Sequence, residues 1–273
     1  MHHGDVSPDI AAGLLALRKR VAAAKIPSSQ LDESINVAIW NIREFGKKRR
    51  TKAAIHYIAE ILGQFDLIGL VELRDSLEDY GRVCQILGPS WDLVYSDWMS
   101  DSGGNRERVG FLFDRRAVTF NGLAAEIDPP RAKQGTEYLA RQSFWRAPYM
   151  CSFRAGNFDF IVLKALTRRG LQIADSLVDL KVGDIAVKGS NLGKDARYDQ
   201  ILHMPTLKKR FTNYGGTLDF HGSDAAIKEL FPDAGYSRQE FTYQLSDHFP
   251  IWVQIDTDID GQRLTQIVQN AKK

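Results

Sequence analysis

The sequence predicts a layered α/β sandwich, on three observations. The chain opens with a strand, a helix and a second strand, the order of a parallel βαβ unit. It then changes to short β-rich stretches joined by hairpin-like turns, which suggests mixed layers rather than a purely parallel sheet. Its composition is that of an ordinary globular protein, 44% hydrophobic and 26% charged over 273 residues, which excludes a disordered or fibrous chain.

Residues 8–25 read as a helix. Ser7 is a good cap, Pro8 fits the first turn, and Ile10, Leu14, Leu17 and Val21 recur at helical spacing. Pro27-Ser28-Ser29 ends it. Ile35 to Trp40 alternates as a strand that stops at Asn41. A loop with Gly46 leads to a helix with Thr51 as N-cap, Ala54, Ile55, Ile58, Ala59 and Leu62 on one face, and Gly63 as the stop. Asp66 to Leu73 is nearly continuous in apolar residues, as a strand buried on both faces reads. Further strands are expected at Trp91–Trp98, Arg108–Phe113, Trp145–Phe153, Phe158–Leu163, Arg197–His203 and Pro250–Ile255. Ser102-Gly103-Gly104-Asn105 and Gly156-Asn157 supply turns. The tail after Thr257 is polar with a weak helical pattern and is left unassigned. The expected division is an N-terminal helical extension (1–34), one domain (35–256) and a C-terminal tail (257–273).

No run of about 18 apolar residues occurs, so no membrane span is expected. Lysine and arginine number 36 against 34 acidic residues, a balance unlike that of a strongly basic nucleic-acid binder. Cys84 and Cys151 lack metal-ligand spacing and read as buried thiols in a reducing compartment. The N-terminal residues lack the pattern of a secretory signal, and a cytoplasmic location is expected. The sequence does not set the oligomeric state.

Ligands of open α/β sheets bind at the carboxyl ends of parallel strands, and Asn41 and Glu72 occupy those ends in the βαβ unit. A carboxylate there costs free energy unless it is paired or binds a metal. A salt bridge of Glu72 to Arg74 and a functional role both satisfy that condition. In Ser246-Asp247-His248-Phe249-Pro250, three contiguous residues cannot make a hydrolase triad, because neighbours in an extended chain point to opposite sides. Asp247 as a hard-metal ligand with His248 as acid or base fits the pattern better; a turn-capping Asp and a packed His are the bland alternative. In Arg197-Tyr198-Asp199-Gln200, Asp199 could orient a histidine. Asn105-Arg106-Glu107-Arg108 precedes a strand.

Together these fragments form ordered motifs: Ile39-Trp40-Asn41-Ile42-Arg43, Val71-Glu72-Leu73-Arg74-Asp75, Arg106-Glu107-Arg108-Val109-Gly110-Phe111, Tyr198-Asp199-Gln200-Ile201 and Ser246-Asp247-His248-Phe249-Pro250. In type and order they resemble the endonuclease/exonuclease/phosphatase superfamily, closest to its deoxyribonuclease I-like branch, over about Ile35 to Ile255. The resemblance implies a four-layered α/β sandwich and Mg²⁺-dependent (or Mn²⁺-dependent) hydrolysis of phosphodiesters or phosphomonoesters. It implies that Asn41, Glu72 and Asp247 surround the metal and that His248 faces the scissile phosphate, held by Asp199. It further implies that Glu107 supports a second histidine, and that Arg74 and Arg146 touch substrate phosphates.

Two family features are missing. Aligned through the Arg-x-Gly ending at Arg168-Arg169-Gly170, Leu166 stands where the family has a catalytic histidine. Between Gly170 and Ser190 the 19 intervening residues leave too little room for the family's helix, central strand with Gly-Asp-Phe-Asn, and following helix. Either that crossover and strand are deleted, or Val182-Gly183-Asp184-Ile185 is a shrunken relic of the motif with Ala186 replacing Asn. Deletion is the favoured register, and it predicts a shortened central sheet with an exposed edge that invites association. Lys47-Lys48-Arg49-Arg50 with Lys52 reads as a nucleic-acid backbone contact or as a solvated basic turn, and Trp98, Arg106 and Arg108 extend that surface. The functional expectation is a metal-dependent nuclease impaired by lost motifs. The alternatives are a catalytically inactive nucleic-acid- or phosphate-binding relative, and a phosphatase of inositol phosphates or phospholipid head groups. No membrane partner is expected.

Overall fold

A computed structural model describes residues 1–97, 106–127, 133–138, 148–164, 170–178, 181–182, 185–186, 189–196 and 198–271. The expected βαβ unit is present. Strand β1 (Ser34–Phe45), helix α2 (Lys52–Leu62) and strand β2 (Leu67–Leu73) follow helix α1 (Pro8–Ala23), and β1 and β2 pair in parallel. Thr51 caps α2, its hydroxyl accepting from the Ala54 amide at 3.2 Å. The chain continues through α3 (Glu78–Leu87), β3 (Trp91–Tyr95), β4 (Arg108–Asp114), β5 (Thr119–Glu126), β6 (Tyr149–Ala155) and β7 (Phe158–Lys164). Then come β8 (Phe211–Thr217), α4 (Ala225–Leu230), α5 (Arg238–Gln244), β9 (Ile251–Asp256) and α6 (Ile259–Asn270).

Six strands form one sheet in the order β8-β9-β1-β2-β4-β3, and three form a second in the order β5-β6-β7. Alternation along the strands decides which core each residue enters. Ala38, Trp40 and Ile42 of β1, with Ile68 and Leu70 of β2, face the helices. Val37, Leu67, Phe111 and Phe113 face the smaller sheet, where Phe153 stands edge-on to both phenylalanines. The α/β sandwich is thus built from a helical layer, a wide sheet and a narrow one.

The N-terminal helix is part of this body rather than an appendage. Leu14 and Leu17 of α1 are buried in the helix-side core. The tail left unassigned from sequence contains α6, capped by Asp258. Its Leu264, Ile267 and Val268 are all exposed, so no packed face reinforces its pattern. The stretch expected as a strand over Arg197–His203 is mostly irregular. Tyr198 and Asp199 turn their amides to the Ser190 hydroxyl, and only Leu202–His203 pairs, with Gln172–Ile173. Trp98, the Ser102–Asn105 turn, Trp145, Leu166, Asp184 and Arg197 lie outside the described residues. Among the described residues β7 pairs with β6 alone, and Ile161 and Leu163 on β7 are exposed.

Candidate active site

The site begins with a break in the β1–β2 ladder. The parallel register holds to Asn41↔Val71 and resumes at Phe45↔Leu73, so β1 carries the extra residues. Such a bulge bends a strand and re-aims its side chains. Glu44 and Glu72 take positive φ of 46° and 63° there, a strained conformation for residues with a Cβ. Glu72 is held by two donors: the Asn41 side-chain amide at 2.9 Å on Oε1 and the Glu44 backbone amide at 2.9 Å on Oε2. Gly46, with φ of 95°, closes the following turn, where a Cβ would stand 2.0 Å from the Ser76 carbonyl.

Glu72 therefore does not pair with Arg74. The Arg74 guanidinium donates to Glu44 at 3.0 Å and to Glu107 at 3.2 Å, and the group is largely buried. The Glu44 and Glu107 carboxylates offset the charge of Arg74 and fix its side chain at the edge of the site. A buried cation needs such counter-charges, because the interior does not solvate it.

The second half of the site comes from the loop entering β9. His248 Nδ1 lies 2.6 Å from Asp199 Oδ2, and Asp199 Oδ2 also accepts from Ser190 Oγ at 2.9 Å. Ser190 Oγ in turn accepts from the amides of Tyr198 and Asp199. This network assigns the Nδ1 proton to the Asp199 side and leaves Nε2 facing outward. Burial works against charging His248. The hydrogen bond and charge of Asp199 outweigh it, helped by Asp247 and Glu72, so its pKa is raised above the ordinary imidazole value. Glu72, Asp199 and Asp247 thus all act on one imidazole.

Ser246 locks the two halves together. Its hydroxyl donates to the Asn41 carbonyl at 2.6 Å and accepts from the amides of His248 and Arg43. Trp40 Nε1 donates to the His248 carbonyl at 2.8 Å. The motif reading did not assign roles to Ser190, Ser246 or Trp40. Ser246 and Trp40 act through backbone partners more than 200 residues away, and Ser190 through a loop of nine residues, so local pattern did not announce them.

A divalent cation fits part of this arrangement. Asn41 Oδ1 is buried and accepts no hydrogen bond, and it lies on the amide whose nitrogen binds Glu72. An amide oxygen beside a carboxylate is a hard donor pair, of the kind Mg²⁺ takes while keeping most of its waters. Asp247 is half-exposed and faces Arg43 at 3.9 Å. Among the described residues no three His, Cys, Asp or Glu side chains form a closed metal cage.

The basic residues divide. Arg50 is buried, donating to the Arg43 and Gln244 carbonyls, and burial pushes it down to about 10; it is structural, not part of a surface. Lys47 pairs with Glu44, and Arg49 pairs with Glu78 at 3.2 Å. Arg108 donates to the carbonyls of Arg74 and Asp75. Lys48 lies over one part of the Tyr243 ring, 5.7 Å from its centre, and Arg43 stacks on the same ring at 4.0 Å. Arg43 and Tyr243 extend the site beyond the residues expected from sequence. Arg146 lies outside the described residues.

The chain is similar to proteins of known identity. No protein-family model matches the chain. It is 27% identical over 161 residues to the deoxyribonuclease-1 of Bos taurus and to that of Equus caballus, in each case over 55% of both chains. The likeness is to the deoxyribonuclease I-like endonuclease/exonuclease/phosphatase superfamily. The chain spans about half the length of the curated relatives it matches. An endonuclease/exonuclease/phosphatase structure from Bacteroides vulgatus is similar with a TM-score of 0.48 and 10% identity, over 81% of this chain and 98% of that one. Asn41 bonds Glu72 and Asp199 bonds His248, with Asp247 beside them, while Glu44 links Glu72 to the ion pairs of Arg74.

Proposed function

We propose that this chain is a divalent-metal-dependent phosphodiesterase acting on nucleic acid. The observation that carries the reading is the Asp199–His248 pair set beside the Asn41–Glu72 oxygen pair, with Asp247 between a histidine and an arginine. Asn41 Oδ1 and Glu72 would hold Mg²⁺ or Mn²⁺, with Asp247 as an outer partner. When bound, such an ion polarises a phosphoryl oxygen and stabilises the charge of in-line attack. His248, whose protonated form Asp199 favours, would donate from Nε2 to a phosphate oxygen. Arg43, Lys48, Lys47 and Arg49 supply positive charge along the β1–α2 loop, where a nucleic-acid backbone would pass. Deoxyribonuclease activity of the curated relatives supports a nucleic-acid substrate; nothing in the chain indicates base-specific reading.

Turnover is low in this reading. Leu166 stands at the second histidine's place in the sequence. Loss of one catalytic polar group commonly costs about 10²–10³ in rate. That replacement also supports a second reading, a nucleic-acid binder without turnover.

Nicking of supercoiled plasmid with Mg²⁺, alongside a mobility-shift assay, tests both. The first reading expects slow nicking that is lost with chelator, in Glu72→Gln and in His248→Ala. Nicking that persists in Glu72→Gln overturns it. A mobility shift with no nicking above background selects the second reading, and absence of both rejects each.

A further inference from the structure

The two sheets differ in width, and the difference leaves space. Among the described residues, three strands stand opposite a sheet of six. Beside the edge strand β7, the inner faces of β1, β2 and β4 and the segment 200–211 bound a cavity of about 380 Å³. Its walls are Val37, Ile39, Val71, Phe111, Phe160 and Val162, with Met204 and Leu207 beyond them. Among the described residues that line it, Arg210 is the only charged one, and none is a carboxylate. Arg210 donates to the Asp258 carbonyl at 3.2 Å and lies over the Phe158 ring. The neighbouring Lys208 pairs with Asp175 at 3.1 Å. Gln200 Oε1, on the same wall, is buried and lacks a hydrogen-bond partner.

Most of this lining is apolar; its polar side chains include Gln200, His203 and Arg210. The volume falls in the range of about 300–1,000 Å³ typical of small-molecule sites. The lining therefore selects an elongated apolar body. Arg210, with no carboxylate among the described lining residues, selects a negative end on it.

We propose that this inter-sheet cavity is a binding site for a long-chain fatty acid, its aliphatic tail between the sheets and its carboxylate on Arg210. The site is separate from the Asp199–His248 cleft, and the proposal does not depend on phosphoester chemistry.

The test is calorimetric titration of the full chain with laurate below its micellar concentration. The expected result is saturable one-to-one binding. Arg210→Glu weakens it at least about tenfold, since a charge-assisted hydrogen bond becomes a repulsion. Dodecyltrimethylammonium, with the same tail and opposite charge, does not compete. Gly69→Leu blocks the cavity. A Cβ at Gly69 meets only ordinary contacts with Phe111 and Ile39, so the backbone accepts a side chain there, and the expected result is loss of laurate binding with a cooperative thermal melt retained. Val162→Phe gives a second filled cavity, and the Arg210→Glu comparison decides the matter if neither filled variant folds. No saturable binding by the unmodified chain overturns the proposal, as does equal binding by Arg210→Glu or by a folded cavity-filled variant.

Discussion

Replacing Asp199 by Asn isolates the charge that holds His248. The amide keeps the size of the carboxylate, and its oxygen can take the Oδ2 position to accept from both Ser190 Oγ and His248 Nδ1. What is lost is the negative charge opposite an imidazole at 2.6 Å. Asp199 is buried, and the His248 side chain is 16% exposed, so water compensates little of the loss. A hydrogen bond to a charged group contributes about 1.5–3 kcal/mol. The cost of the substitution is therefore on the order of one to two powers of ten wherever His248 is protonated. The sign with pH follows from the raised pKa of His248. A group whose folded pKa is raised contributes stability that is full below the unfolded imidazole value and is lost as pH rises through the folded one. The stability gap between the parent chain and Asp199→Asn should thus be widest below the unfolded imidazole value of about 6.5 and narrow as pH rises above it. Urea unfolding on both sides of that value measures the gap, and imidazole NMR follows His248 directly. Its pKa should fall in the variant, because burial is then opposed only by the charges of Asp247 and Glu72. A gap independent of pH, or a His248 titration unmoved by the substitution, would refute the role given to Asp199.

Three further outcomes are expected. Ser246→Ala removes the hydroxyl that joins the Asn41 carbonyl to the His248 and Arg43 amides. It should destabilise the fold by about 1–3 kcal/mol in urea titration and lower nicking without changing the salt dependence of nucleic-acid binding. Gly46→Ala places a methyl against the Ser76 carbonyl at a positive φ, and a thermal melt should show a loss of at least about 1–2 kcal/mol; an unchanged midpoint would mean that the turn is not fixed as described. His56 is pulled down to about 4 by burial, with His3, Lys52 and Arg82 adding to the effect. Its contribution is therefore present above the unfolded imidazole value and is lost as pH falls from about 6.5 to about 4, on the order of 1–2 kcal/mol after allowance for screening. His56→Asn should flatten that acid-side decline, and equal declines in both proteins would count against it.

The N-terminal half of the site was legible because it is local. Asn41 and Glu72 end strands whose apolar runs and intervening helix are written in consecutive residues, and a strand end places a side chain at the rim of the sheet. The helix caps at Ser7 and Thr51 were readable for the same reason: a cap is a contract between residues three apart. The tail helix was not, because beyond Ile259 its Leu264, Ile267 and Val268 are exposed and leave only a weak pattern. The strand expected near Asp199 failed because the Ser190 hydroxyl captures the amides that a ladder would have used, and no local rule announces that capture.

Periodicity within short windows determined the βαβ start, the alternation that feeds two cores, and the residue types available for phosphate chemistry. The tertiary structure decided the partners. It gave Arg74 to Glu44 and Glu107 rather than to Glu72, buried Arg50 out of a basic run, and set His248 on Asp199 across 49 residues of chain. It also left the space beside β7. Pairings between distant segments depend on which faces meet once the sheets have stacked, and a one-dimensional pattern carries the faces but not their meeting.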